Sequence, residues 1–144
     1  FDLIWAEGSA YNMGLKNALI NWKGLLKSGG CIGLTELVWL QPDPPSAVVG
    51  FFDNEYPAMT WVKTVLEIFV TCGYEPLGHF TLPDSAWWEH YYRPLEAKLP
   101  MLIEKYSGND DAIGVIETTR REIEIRRLFH DWYGYEFFIA QKAE

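Results

Sequence analysis

The sequence contains little cysteine and few basic residues, and both shortages exclude classes of protein. Its two cysteines, Cys31 and Cys72, lie far apart, so they form neither a disulfide framework nor a zinc site of clustered thiolates. We expect both to be small buried residues of a protein in the reducing cytoplasm. Lys and Arg number 12 against 20 Asp and Glu, which gives a net charge of −8. An acidic surface without a basic stripe repels phosphate groups, so nucleic acid is not an expected partner.

Long apolar runs and several catalytic motifs are also missing. No apolar run approaches the ~20 residues that cross a bilayer, so no membrane partner is expected. None of Ser9, Ser28 and Ser85 stands in a Gly-x-Ser-x-Gly context, which leaves a hydrolase nucleophile unsupported. No second histidine lies at ligand spacing from His90, and no metal site is predicted.

The one glycine cluster, at residues 29–33, follows a helical pattern and precedes an apolar run. A dinucleotide-binding loop requires the opposite order, a strand and then a helix. The cluster therefore predicts a helix stop, because glycine readily adopts the left-handed conformation there.

Apolar residues make up 49% of the chain and aromatic residues 16%, a composition typical of a globular domain. Apolar spacing predicts an α/β fold with a mostly parallel sheet and a helical segment before the last strand. The first run, Phe1 to Ala6, is almost continuously apolar and is bounded by Glu7, which predicts a strand buried on both faces. The predicted strands are 1–7, 31–39, 74–82 and 135–141. The predicted helices are 15–26, one from Pro57 to Cys72-Gly73, 84–106 with breaks at Pro94 and Pro100, and one from Asn109 or Asp110 to about Asp131; 47–54 is a short helix or a loop. In the last helix, Glu117–Arg121 and Glu122–Arg126 are spaced for i,i+4 ion pairs on a solvated face.

Three segments carry a resemblance to a known family. The run FDLIWAEGSAYNMG, the helix ending LLKSGG and the run CIGLTELVW resemble the fourth strand, next helix and fifth strand of class I S-adenosylmethionine (SAM)-dependent methyltransferases. FVTCGYEPLGHFTLP and YGYEFFIAQK are similar to the family's later helix and strand and to its final strand. That final strand is antiparallel in the family and is inserted between the two strands before it.

The resemblance implies a Rossmann-like methyltransferase sheet, entered at its fourth strand. We expect residues 1–144 to be one partial domain, a fragment that lacks the main cofactor-binding half and is inactive alone. The implied cofactor is SAM, and the implied cofactor-binding residues follow the first strand: Ala6, Glu7, Gly8 and Ser9. No catalytic residue is predicted, since positioning supplies much of the rate of methyl transfer.

The implied partner is a small-molecule methyl acceptor, which the pattern leaves unidentified. Glu36 and Trp39 lie at the end of the second predicted strand, where α/β sheets bind ligands. The aromatic run at 87–92 occupies the helical insert, residues 83–132, where the family often builds a substrate lid; simple packing of the insert is the alternative. The predicted substrate-binding residues are Glu36, Trp39, Trp87, Trp88, His90 and Tyr91.

Two other functions stay open at this point. The first is a non-catalytic interaction domain of methyltransferase ancestry. The second is a nicotinamide-dependent reductase, which an antiparallel last strand would argue against. We also expect an unpaired edge at residues 1–6, which favours a homodimer through that strand.

Overall fold

The computed structural model describes residues 1–143, which form one mixed sheet and its helices. The strands are β1 (Leu3–Ala6), β2 (Cys31–Trp39), β3 (Thr60–Trp61), β4 (Tyr74–Thr81) and β5 (Tyr133–Lys142). The helices are α1 (Leu15–Lys23), α2 (Ser46–Glu55), α3 (Val62–Thr71), α4 (Asp84–Trp87), α5 (Arg93–Lys105) and α6 (Asp110–Phe129). A 3₁₀ turn spans Ala10–Asn12, and a π-helical turn, Trp88–Tyr92, joins α4 to α5.

The strand order across the sheet is β1-β2-β5-β4, with the short β3 beside the end of β2. β1 and β3 pair with β2 in parallel, whereas β5 pairs antiparallel with both β2 and β4. The predicted antiparallel final strand between its two predecessors is confirmed. The prediction of a mostly parallel sheet is wrong, because the reversed strand is central: β2 and β5 share nine paired positions, and β1 and β2 share four.

Helices α1 and α3 cover one face of the sheet. Leu19 from α1 and Phe69 from α3 are fully buried against Ile32, Leu34 and Phe138 of the central strands. These apolar positions recur at helical and strand spacing, which is why the periodicity located both helices. The first of them, α1, ends at Lys23, with Gly24 at its C-cap, before the predicted stop at Gly29-Gly30.

The opposite face of the sheet is covered at one end only, where Trp39, Tyr133 and Tyr135 pack against α2 and α4. Its other end, beside β1, is apolar and has no helix upon it among residues 1–143. Leu3 and Trp5 of β1 are 52% and 60% exposed on this face. The indole of Trp5 lies 4.9 Å from the ring of Phe137, and Phe80 stacks on Phe137 at 5.3 Å. The prediction that the first strand is buried on both faces is therefore wrong for the described chain. Only its alternate residues, Ile4 and Ala6, pack beneath the helices.

The helical insert builds a second core around aromatic residues. Its last helix, α6, begins where the Asn109 side chain accepts a hydrogen bond from the Ala112 amide at 3.0 Å, and this cap was one of the two predicted. The predicted Glu122–Arg126 pair does not form. Arg126 is buried and binds Asp84, since the aromatic core covers this side of α6, while Glu122 accepts a hydrogen bond from Tyr92. Glu117 pairs with Arg120 rather than with the predicted Arg121.

None of the helices among residues 1–143 combines the length and apolar character required to cross a membrane.

Candidate functional site

A cavity of about 230 Å³ lies where β1 and β2 end and β5 begins. The loop after β1, the end of β2, α2 and the insert supply its walls. Its aromatic lining residues are Tyr11, Phe51, Phe52, Tyr56, Trp87, Tyr92, Tyr133 and Tyr135. Its acidic lining residues are Glu36, Glu55 and Glu122, and no Lys, Arg or His of the described chain lines it. The carboxyl ends of strands are where α/β sheets bind ligands, so we treat this cavity as the candidate site.

Glu36 is the buried acidic group of the cavity, with 4% of its surface exposed. Its Oε1 accepts a hydrogen bond from the Tyr56 hydroxyl at 2.5 Å, whereas Oε2 is buried without a partner. Burial raises the pKa of the Glu36 carboxyl, and hydrogen bonding from Tyr56 and from the Leu37 backbone opposes that rise without cancelling it. A buried carboxylate oxygen without a donor is costly, so this atom can accept a donor from a bound molecule.

The other unpartnered polar atoms belong to the same cavity. Within residues 1–143, three buried side-chain polar atoms lack a hydrogen-bond partner: Oε2 of Glu36, Nε1 of Trp87 and the hydroxyl of Tyr133. All three residues line the cavity. An acceptor, an indole donor and a hydroxyl that can do either therefore surround one space, which a polar ligand can satisfy.

Tyrosine hydroxyls line the cavity as neutral donors. Burial is the main cause that raises the pKa of Tyr56, Tyr92 and Tyr133 well above the usual range of a phenol. The Tyr92 hydroxyl donates to Glu122 at 2.7 Å. These groups therefore stay protonated at neutral pH and cannot serve as phenolate bases.

The nearest buried cation lies behind the aromatic wall. The guanidinium of Arg126 is 4.3 Å from the ring centroid of Trp87 and 5.2 Å from that of Tyr133. It donates to Asp84 at 2.7 Å and to the carbonyl of Tyr133 at 2.8 Å. Its charge is thus neutralised by Asp84, and its stacking holds both rings in place.

The four predicted cofactor-binding residues form the loop at the end of β1, but they face different surroundings. Gly8 lines the cavity, adopts a φ of +53°, and donates its amide to the Thr35 hydroxyl at 2.8 Å. Ala6 is buried beneath the helices, and Ser9 is exposed. Glu7 lies on the uncovered face of the sheet, where its Oε1 accepts a hydrogen bond from the Trp5 indole at 2.6 Å.

Of the predicted substrate-binding residues, Glu36 and Trp87 line the cavity. Trp39 packs edge-on against Phe52 in the core behind it, 5.8 Å between ring centroids. Trp88 is half-buried, with Arg127 over its ring at 5.2 Å. The last two predicted residues, His90 and Tyr91, are exposed and do not line the cavity.

Most of the lining was missed by sequence reasoning. Tyr56 lies in the loop after α2, and Glu122 looked like one charge of a solvated helix face. Tyr133 and Tyr135 belong to β5, which reaches the cavity only because it is inserted beside β2. A signal for them existed in the family resemblance, since that insertion brings the start of the last strand beside Glu36.

A second cavity, of about 210 Å³, adjoins the first on the side of α1 and α3. It shares Tyr11, Glu36 and Tyr56 with the candidate site and has Lys16 in its wall. No group of three or more His, Cys, Asp or Glu residues in the described chain is placed to hold a metal ion.

Comparison with solved structures identifies the fold. A SAM-dependent methyltransferase from Geobacter sulfurreducens, solved with S-adenosylhomocysteine, matches 96% of this chain at 16% identity and a TM-score of 0.74. Phosphoethanolamine N-methyltransferase 2 from Haemonchus contortus, solved with SAM, matches 100% of the chain at 12% identity and a TM-score of 0.71. The chain has the class I methyltransferase fold. The [4+2]-cyclase SpnF shares it, with 19% identity over 99% of the chain and a TM-score of 0.71.

The chain spans only part of these proteins, namely 57% of the Geobacter enzyme, 34% of the Haemonchus enzyme and 50% of SpnF. No family model matches the chain, and no curated protein sequence matches it.

Proposed function

We propose that this chain is part of a SAM-dependent methyltransferase that acts on a small molecule. The observation that carries the proposal is the antiparallel β5 between β2 and β4, with a ligand-sized cavity at the carboxyl ends of β1 and β2. The same topology argues against the nicotinamide-dependent reductase, which would keep its last strand parallel. The solved methyltransferases that share this fold support the class of reaction.

We further propose that the chain supplies the acceptor side of the enzyme and that most of the SAM site lies outside residues 1–144. Two observations support this division. The part of the sheet face that carries Leu3, Trp5 and Phe80 is apolar and open, and the chain covers 34% to 57% of the similar methyltransferases described above. A missing half-domain would cover such a face.

The residues present fit one end of SAM. The Gly8 loop borders the cavity at the end of β1, so Gly8 and Ser9 would lie beside the methionine part of the cofactor. Bound SAM would supply the methyl group as an activated sulfonium. Glu36 and the tyrosines of the cavity would orient the acceptor and exclude water from it.

Calorimetric titration of S-adenosylhomocysteine tests both parts of the proposal. We expect the full-length gene product to bind it and residues 1–144 to bind it at least tenfold more weakly, by about 1.4 kcal/mol. Comparable affinity of the two proteins would overturn the half-domain proposal. Absence of binding by both would overturn the methyltransferase proposal.

One observation favours a second function, a non-catalytic interaction domain. The open apolar face could dock another protein instead of the rest of a methyltransferase domain. This alternative predicts that the full-length product binds neither SAM nor S-adenosylhomocysteine, so the same titration distinguishes the two functions.

A further inference from the structure

The charge of the candidate site is one-sided. Glu36, Glu55 and Glu122 line the cavity, and no basic side chain of the described residues does so. The closest guanidinium, that of Arg126, is turned to Asp84 and lies behind the ring of Trp87. A phosphorylated or carboxylated ligand would enter this cavity without a counter-charge, at the full cost of desolvating an anion.

The buried end of the cavity offers an unused hydrogen-bond acceptor. Oε2 of Glu36 has no hydrogen-bond partner, even though only 4% of the residue's surface is exposed. A second buried carboxylate, Glu136, occupies the paired position on β5, yet both of its oxygens are bound, one by His79 and the other by Thr81. The fold thus satisfies one of two neighbouring buried carboxylates and leaves the other, at the cavity, half satisfied.

Aromatic rings make up most of the remaining wall. The faces of tyrosine and tryptophan rings attract organic cations, and their hydroxyl and indole groups hydrogen-bond around them. A volume of about 230 Å³ holds a molecule of several heavy atoms, on the scale of about 30 Å³ for one water.

From these observations we propose that the cavity binds a small organic ammonium ion, whose N–H groups donate to Oε2 of Glu36 and whose charge faces the tyrosine rings. Identification of this ammonium compound as the methyl acceptor rests on the proposed function. The binding itself does not, because Glu36 and the tyrosines that would hold the ammonium all belong to this chain. An ammonium beside Oε2 also stabilises the ionised form of Glu36. This attraction offsets the cost of burying the charged carboxylate.

Three probes of similar size and different charge test the proposal: n-butylammonium, n-butanol and butyrate. We expect n-butylammonium to bind residues 1–144 at least tenfold more tightly than butyrate, with n-butanol between them, as measured by shifts of the Trp87 indole N–H in NMR titrations. The Trp87 signal is assigned from its loss in W87F. Butyrate binding as tightly as n-butylammonium would overturn the proposal.

Matched variants separate the cavity from overall charge. Glu36→Gln should weaken n-butylammonium about tenfold. Glu117→Gln removes the same charge from an exposed site on α6 that does not line the cavity, and Glu136→Gln alters a buried carboxylate with its own partners. Both should leave the affinity within about twofold. If Glu136→Gln fails to fold, the comparison with Glu117→Gln still decides, because equal effects of Glu36→Gln and Glu117→Gln would contradict the proposal.

The SAM titration is independent of these measurements. If the full-length protein binds n-butylammonium selectively but does not bind S-adenosylhomocysteine, the proposed cation site is supported and the proposed methyltransferase function is overturned. If it binds S-adenosylhomocysteine but shows no charge preference among the three probes, the methyltransferase function is supported and the cation site is overturned.

Discussion

The Tyr56 hydroxyl donates to Oε1 of Glu36 at 2.5 Å, and this bond satisfies only one oxygen of a carboxylate that is almost wholly buried. Tyr56 approaches from the loop after α2, whereas Glu36 comes from the middle of the sheet. Their pairing therefore fixes the floor of the cavity while leaving Oε2 free. A side chain in this state stabilises the fold less than a satisfied one and is suited to bind a ligand.

The first prediction concerns Glu36 and pH. Burial raises the pKa of this carboxyl above its ordinary 4.5, so the folded protein binds more protons than the unfolded chain between the two values. Below pH 4.5 the shifted pKa of Glu36 does not change the free energy of unfolding. As pH rises from 4.5 to the folded pKa, ionisation of Glu36 lowers the free energy of unfolding progressively. Glu36→Gln lacks this loss and keeps an oxygen for Tyr56, so its stability relative to wild type should rise between pH 4.5 and pH 8 in urea unfolding. A difference independent of pH would contradict the assignment.

The second prediction compares two buried tyrosine hydroxyls. That of Tyr133 has no partner, whereas that of Tyr92 donates to Glu122. An unsatisfied buried group costs ~1–3 kcal/mol, and a hydrogen bond to a charged group contributes ~1.5–3 kcal/mol. Tyr133→Phe should therefore raise the free energy of unfolding by about 1 kcal/mol, and Tyr92→Phe should lower it by about 1.5 kcal/mol. Equal losses in both variants in urea denaturation would show that the Tyr133 hydroxyl is bonded.

Sequence patterns predicted four strands and the main helices of this fold, because their apolar residues recur at regular spacing. They missed β3, which lies within the helix predicted from Pro57. They failed for the faces of β1. A short apolar run looks the same whether both sides are covered or one is open, so the pattern predicts burial for Leu3 and Trp5, which are exposed. The prediction that most strand pairs are parallel was also wrong. One reversed strand makes two antiparallel pairs when it lies in the centre of the sheet, and local periodicity does not indicate the order of the strands.

The candidate site was predicted only where a residue stands at a strand end or in a conspicuous aromatic run, as Glu36 and Trp87 do. Glu122 was misassigned because i,i+4 spacing to Arg126 is a local pattern. The tertiary fold overrides it by burying Arg126 against Trp87 and giving it Asp84. Exposure of His90 and Tyr91 follows from the π-helical turn at Trp88–Tyr92. Such a turn departs from α-helical spacing, and the sequence pattern does not predict it.

The third prediction concerns the ion pair behind the cavity wall. Asp84 neutralises Arg126, which is buried against Trp87. Removing one partner of a buried pair leaves the other charge uncompensated and lowers the free energy of unfolding by about 3 kcal/mol. Asp84 is itself half exposed, so we expect Asp84→Ala to cost somewhat less, about 2 kcal/mol in thermal or urea unfolding. The control is Asp2→Ala, which breaks the exposed pair with Lys27 and should cost under about 1 kcal/mol. Equal costs would mean that Arg126 finds solvent when Asp84 is absent.

The last prediction concerns the open edge and apolar face at β1. Leu3 is 52% exposed, and β1 pairs on one side only, with β2. Such an edge favours pairing with a second chain, as predicted for residues 1–6, and a charge placed on it opposes that pairing. We expect residues 1–144 to self-associate in sedimentation velocity runs at increasing concentration, and Leu3→Lys to shift the population toward monomer.

The matched control is Leu128→Lys, because Leu128 is 71% exposed on α6 and its change adds the same charge away from the sheet. A wild-type chain that stays monomeric at every concentration would contradict the homodimer, and so would equal dissociation of the two variants, since general repulsion rather than the β1 edge would then explain the effect.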